Sequence, residues 1–68
     1  MKISERWETL YQAARVIRAA TGHDEFTVND LRRHMRFGTF KTKTENGVVY
    51  VDMLDIERLI YRLGIENY

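Results

Sequence analysis

The chain contains no cysteine and no proline, and only four glycines in 68 residues. Without cysteine, neither a disulfide nor a thiolate zinc site can brace the fold. With no proline and so little glycine, the composition speaks against a disordered linker. No apolar run comes near the ~20 residues that span a bilayer, and no signal-peptide pattern opens the chain. A cytoplasmic location is the resulting expectation. The length points to a single domain over 1–68, and at this size an enzyme with a deep substrate pocket is excluded. So small a core leaves only ~3–5 kcal/mol net, which self-association can supplement.

Charge is balanced in sum, at +1, and uneven along the chain. Residues 32–43 carry Arg32, Arg33, Arg36, Lys41 and Lys43 with no acid, a net +5. Acid-rich stretches lie on either side, with Asp24, Glu25 and Asp30 before the block and a net −3 over 44–68 after it. Such a block is either a solvated face that keeps a small protein soluble or a surface for a polyanion.

The spacing predicts a first helix over 4–21, with Ser4 as N-cap and Gly22 as the stop. Trp7, Leu10, Tyr11, Ala14, Ile17 and Thr21 form its apolar stripe, widened by Ala13, Val16 and Ala20. Small alanines there let another helix approach closely. A second helix is expected over 28–36. Thr27 and Asp30 make a capping box, Phe26 and Leu31 a hydrophobic staple, and Gly38 a left-handed stop. Val28, Leu31 and Met35 face inward, leaving Arg32, Arg33 and Arg36 outside.

Residues 39–52 read as a β-hairpin, because Asn46-Gly47 favours a two-residue type I′ turn. That turn pairs Glu45 with Val48, Lys43 with Tyr50 and Lys41 with Asp52. Phe40, Thr42, Thr44, Val49 and Val51 then share the expected core face. Lys41, Lys43, Glu45, Val48, Tyr50 and Asp52 share the outer one. A third helix is expected over 53–63, with Asp52 and Asp55 as its capping pair and Val51 stapled to Ile56. Ile56, Leu59, Ile60 and Leu63 point inward. Gly64 would end this helix, Ile65 would fold back onto Ile60, and 65–68 would be a loose tail. The expected class is α+β, in the order α-α-β-β-α.

Catalytic and metal chemistry find little support. His23 and His34 stand eleven apart without cysteine partners, so no metal is expected. Asp52, Asp55 and Ser4 all have capping roles, and the glycines match no phosphate-binding loop. The chain is expected to be no enzyme and to need no cofactor.

The candidate nucleic-acid contacts are Arg32, Arg33, Arg36, Lys41, Lys43 and Tyr50, with Thr39 and Asn46 as neutral donors. Edge-strand protection accounts equally well for Lys41 and Lys43, and packing along the Lys43 stem for Tyr50. Trp7, Tyr11 and Tyr61 are candidate anchors for a protein partner, though core burial is the preferred reading of Trp7 and Tyr11. Leu54 and Tyr61 lie off the inward stripe of the last helix and are candidates for a homodimer face.

The run Phe26-Thr27-Val28-Asn29-Asp30-Leu31 resembles the opening helix of winged helix-turn-helix proteins. Gly47 to Ile60 resembles the wing strand and following helix of the excisionase and MerR-like group. The resemblance covers roughly 26–60 and rests on short, mostly structural motifs. It implies a small winged-helix-like domain, a DNA-binding regulatory or excisionase-like protein, and wing residues at Lys41 and Lys43 near the backbone of double-stranded DNA. One departure stands out: only Phe37 and Gly38 separate the second helix from the hairpin, so the usual recognition helix has no room. The alternative is a small protein-binding inhibitor or adaptor of phage or plasmid type on a reduced winged-helix scaffold.

Overall fold

The computed structural model describes the backbone of residues 6–66 and the side chains of residues 6–64. Strand β1 (Trp7–Thr9) is followed by α1 (Leu10–Thr21), α2 (Val28–Phe37), β2 (Thr42–Glu45), β3 (Val48–Asp52) and α3 (Met53–Glu66). The expected order α-α-β-β-α holds, with one strand added in front. That strand makes the hairpin a three-stranded antiparallel sheet of order β1-β3-β2.

The first helix therefore begins six residues later than expected. Thr9 is extended and caps it, its Oγ1 accepting from the Gln12 N–H at 3.1 Å. The preceding three residues pair along β3, Trp7 opposite Asp52, Glu8 opposite Val51 and Thr9 opposite Tyr50. Pairing satisfies backbone groups along the open side of β3 that one more helical turn would leave unpaired. Ser4, the expected cap, lies outside the described residues.

The core holds Ala13, Ala14 and Ile17 of α1, Phe26, Leu31 of α2, Val51 of β3, and Met53, Ile56 and Leu59 of α3. Ala13 and Ala14 are fully buried, and α1 packs against both α3 and α2. Small side chains at those positions let the axes close in. Tyr11 and Ala20, expected on the buried side, are exposed instead, Tyr11 at 69%. With the helix starting at Leu10, the buried arc centres on Ala13, Ala14 and Ile17, and Tyr11 falls outside it.

The α2 start follows the sequence reading. Thr27 Oγ1 accepts from the Asp30 N–H, and Asp30 accepts the Thr27 N–H at 2.9 Å. The Thr27 N–H, and after it the Thr27 hydroxyl donating to Asp30 Oδ2 at 3.1 Å, hold the Asp30 carboxyl below its usual pKa. His34 stacks on Phe26, ring centroids 5.9 Å apart, and Arg18 Nη1 donates to the Phe26 carbonyl at 2.8 Å.

Gly38 does not adopt the expected left-handed stop: its φ is −114°. A different constraint applies there. A Cβ at Gly38 would lie 2.7 Å from Phe40 Cε1 and 3.2 Å from the His34 carbonyl oxygen. Phe40 packs against the core, so its ring has little room to yield. Gly38→Ala should lower stability by about 1–2 kcal/mol, as overpacking does. Urea unfolding tests this, and an unchanged midpoint would mean the ring moves aside freely.

The hairpin register is the expected one, Thr42 opposite Val51, Lys43 opposite Tyr50, Thr44 opposite Val49 and Glu45 opposite Val48. Asn46 and Gly47 both have positive φ, 52° and 79°, as a type I′ turn requires. The expected core face is only partly covered. Val51 is fully buried and Phe40 half-buried, but Thr42, Thr44 and Val49 are exposed. Helices α1 and α3 pack against β3 near its end, and the turn projects beyond them. Conversely Asp52, expected on the outer, solvent-facing side, is buried.

Asp52 caps α3 as expected, Oδ1 accepting from the Leu54 N–H at 2.9 Å. Asp55 does not complete a capping box. Its Oδ2 accepts the Lys41 N–H at 2.8 Å, tying the start of the hairpin to α3. Helix α3 runs on to Glu66, with Gly64 inside it. Residues 65 and 66 thus belong to the helix rather than to a loose tail. The expected Ile65–Ile60 contact lies outside the described side chains. No helix among the described residues is long and apolar enough to cross a membrane.

Candidate nucleic-acid interface

In an antiparallel sheet directly paired residues point to the same side. Thr9, Tyr50 and Lys43 therefore stand in one row across the three strands, with Trp7 and Asp52 in the next row on that face. The helices cover the opposite face at Val51. On the open face, Arg6, Trp7, Lys43, Glu45 and Tyr50 line a shallow groove of about 390 Å³.

The groove is organised by charge against aromatic rings. The Lys43 ammonium lies 5.1 Å from the Trp7 ring centre and 5.9 Å from that of Tyr50. The Arg6 guanidinium lies 5.7 Å from the Trp7 ring. These separations are within cation–π range. Lys43 Nζ also meets Glu45 Oε1 at 3.1 Å. Arg6 grips the buried Asp52 with two nitrogens, Nε and Nη2, each 2.9 Å from Oδ2. Those hydrogen bonds hold the Asp52 carboxyl below its usual pKa. Lys43 is thus held only by contacts that water and a competing anion can replace, whereas Arg6 is fixed by a buried partner.

Of the residues singled out from the sequence, the structure brings Lys43 and Tyr50 together. Lys41 is exposed where the chain enters β2, its carbonyl accepting the Asp52 N–H at 3.0 Å. Arg32, Arg33 and Arg36 are exposed on α2, with Arg33 3.7 Å from Asp30. Among the described residues, no hydrogen bond, ion pair or ring contact joins these arginines to the groove. Only four residues, 38–41, separate α2 from β2, and they form no helix.

Arg6 is not singled out from the sequence, and Trp7 is expected in the core or as an anchor for a protein partner rather than beside Lys43. Trp7 stands at helical spacing from Leu10, Tyr11 and Ala14, and this drew it into the first helix. The signal that opposes this is Thr9-x-x-Gln12, a capping pattern that starts a helix at Leu10 and leaves Trp-Glu-Thr to a strand. Among the described residues no cluster of three metal-ligating side chains is present. The chain matches no family model, no curated protein and no solved structure.

Proposed function

We propose that this protein is a non-enzymatic nucleic-acid-binding module, a small DNA-binding regulatory protein of winged-helix-like type. The observation that carries this reading is the hairpin. It projects from the helices, exposes Lys41, and holds Lys43 beside Trp7, Tyr50 and Arg6 on its open face. Cations on such an element contact phosphates, and aromatic and hydroxyl groups add sugar or base contacts. Arg32, Arg33 and Arg36 on α2 serve as a second phosphate-contacting surface in place of the absent recognition helix. A non-catalytic role is supported by three carboxylates that are committed to structure: Asp30 and Asp52 cap helices and Asp55 holds the Lys41 N–H.

Fluorescence anisotropy with a labelled random-sequence duplex at two salt concentrations tests the proposal. Binding should weaken steeply with salt, with a logarithmic slope of about −0.9 per phosphate neutralised. No binding at low salt would sink it. The second reading, a protein-binding inhibitor or adaptor, would then take its place. Two exposed aromatic residues favour that reading, Phe37 at 85% and Tyr11 at 69%, and capture of a protein partner would be the next experiment.

A further inference from the structure

Helix α3 buries Ile56 and Leu59 and leaves a second stripe uncovered. Leu54 is 51% exposed and Tyr61 72% exposed. With Glu57 and Arg58 they line a shallow depression of about 320 Å³. At 100° per residue, Leu54 and Tyr61 lie almost on one line along the helix, roughly 10.5 Å apart. Glu57 and Arg58 sit midway between them, one on each side of that line.

We propose that this stripe binds a second copy of the chain, α3 against α3 in parallel, about a two-fold axis that runs between the two helices along their length. A two-fold axis along the helices leaves the ends of the stripe level with each other and exchanges its sides. Leu54 of each copy then meets Leu54 of the other, Tyr61 meets Tyr61, and Glu57 of each meets Arg58 of the other. Apolar groups pair with apolar groups at both ends, and opposite charges pair on both flanks. The patch is self-complementary, the defining property of an isologous interface. An antiparallel arrangement, whose two-fold axis crosses the helices and keeps each flank on its own side, would set Glu57 against Glu57 and Arg58 against Arg58. Arg58 is available for the exchange: its side chain is 81% exposed and reaches Asp55 of its own helix only at 3.5 Å. The surface stands independently of the nucleic-acid reading, since it shares no residue with the hairpin.

One helix pair gives a small interface, so the dimer belongs to the weak, transient class and should appear at about 0.1–1 mM chain. Sedimentation equilibrium on the full chain measures it. Glu57→Arg sets two arginines against each other, and Arg58→Glu sets two glutamates against each other. Either variant alone should lose about tenfold or more in dimer affinity. An equimolar mixture of the two restores opposite charges on both flanks and should dimerise like the parent. All four residues are exposed, and circular dichroism checks that each variant is folded. A parent chain that stays monomeric at about 1 mM overturns the proposal. So does a dimer indifferent to either variant, or a mixture that fails to recover.

Discussion

Replacing Asp52 by alanine should lower the unfolding free energy by about 2–4 kcal/mol, combining a lost helix cap with lost charge-assisted hydrogen bonds. Asp52 is 1% exposed and joins three elements. One carboxylate oxygen accepts from the Leu54 N–H at the start of α3, and the other takes both Arg6 nitrogens beside β1. The Arg6 carbonyl in turn accepts the Met53 N–H at 2.7 Å. Alanine would leave the first turn of α3 without its cap and release β1 from the end of β3. Set against the ~3–5 kcal/mol expected of a chain this size, the variant would sit near its folding midpoint at room temperature. Asp52→Asn keeps the cap acceptor and loses the charge, and should cost only about 1 kcal/mol. Urea titration with far-ultraviolet circular dichroism separates the three proteins. Equal midpoints for parent and alanine variant would show that β1 and α3 hold without this carboxylate.

The same residue sets an acid limit. Its folded pKa is depressed, so its contribution is fully present above the unfolded value of ~3.9 and is lost as pH falls through the lower folded value. Asp30 acts with the same sign. Melting temperature should therefore drop below about pH 4, and Asp52→Asn should flatten part of that drop. A parent and variant with parallel acid profiles would rule out Asp52 as the titrating group.

The second large effect concerns binding. Lys41→Ala together with Lys43→Ala should weaken duplex binding about tenfold near physiological salt and make the salt slope shallower by about 1.8. Lys41 is exposed, and its structural role runs through its backbone N–H and carbonyl, which alanine retains. Lys43 exchanges its contacts with Trp7, Tyr50 and Glu45 for a phosphate. Losing those ring contacts costs only about 0.5–1 kcal/mol of stability, so the double variant stays folded. Unchanged affinity would remove the hairpin from the mechanism and leave Arg32, Arg33 and Arg36 as the contact surface. The chain has a single tryptophan, Trp7, so its fluorescence reports on this groove alone.

Local rules determined much of this molecule from sequence alone. Thr27 with Asp30 dictated the start of α2, and Asn46-Gly47 dictated both the turn and the pairing of Lys43 with Tyr50. Those features depend on neighbours within a few residues, where capping and turn geometry decide the outcome. The inward stripe of α3 was legible for the same reason. Tertiary structure alone decided the rest. Trp7 fits a helical stripe and a strand equally well, and only the open side of β3 resolves the choice, by offering hydrogen bonds to Trp7–Thr9. That pairing brings Arg6 onto Asp52 and Trp7 onto Lys43, which lie 46 and 36 positions away in the chain. Asp55 likewise looks like a capping residue until the Lys41 N–H arrives from the hairpin. Contacts at such separations leave no periodic trace in the sequence, because which of several locally equivalent conformations wins depends on what packs against it.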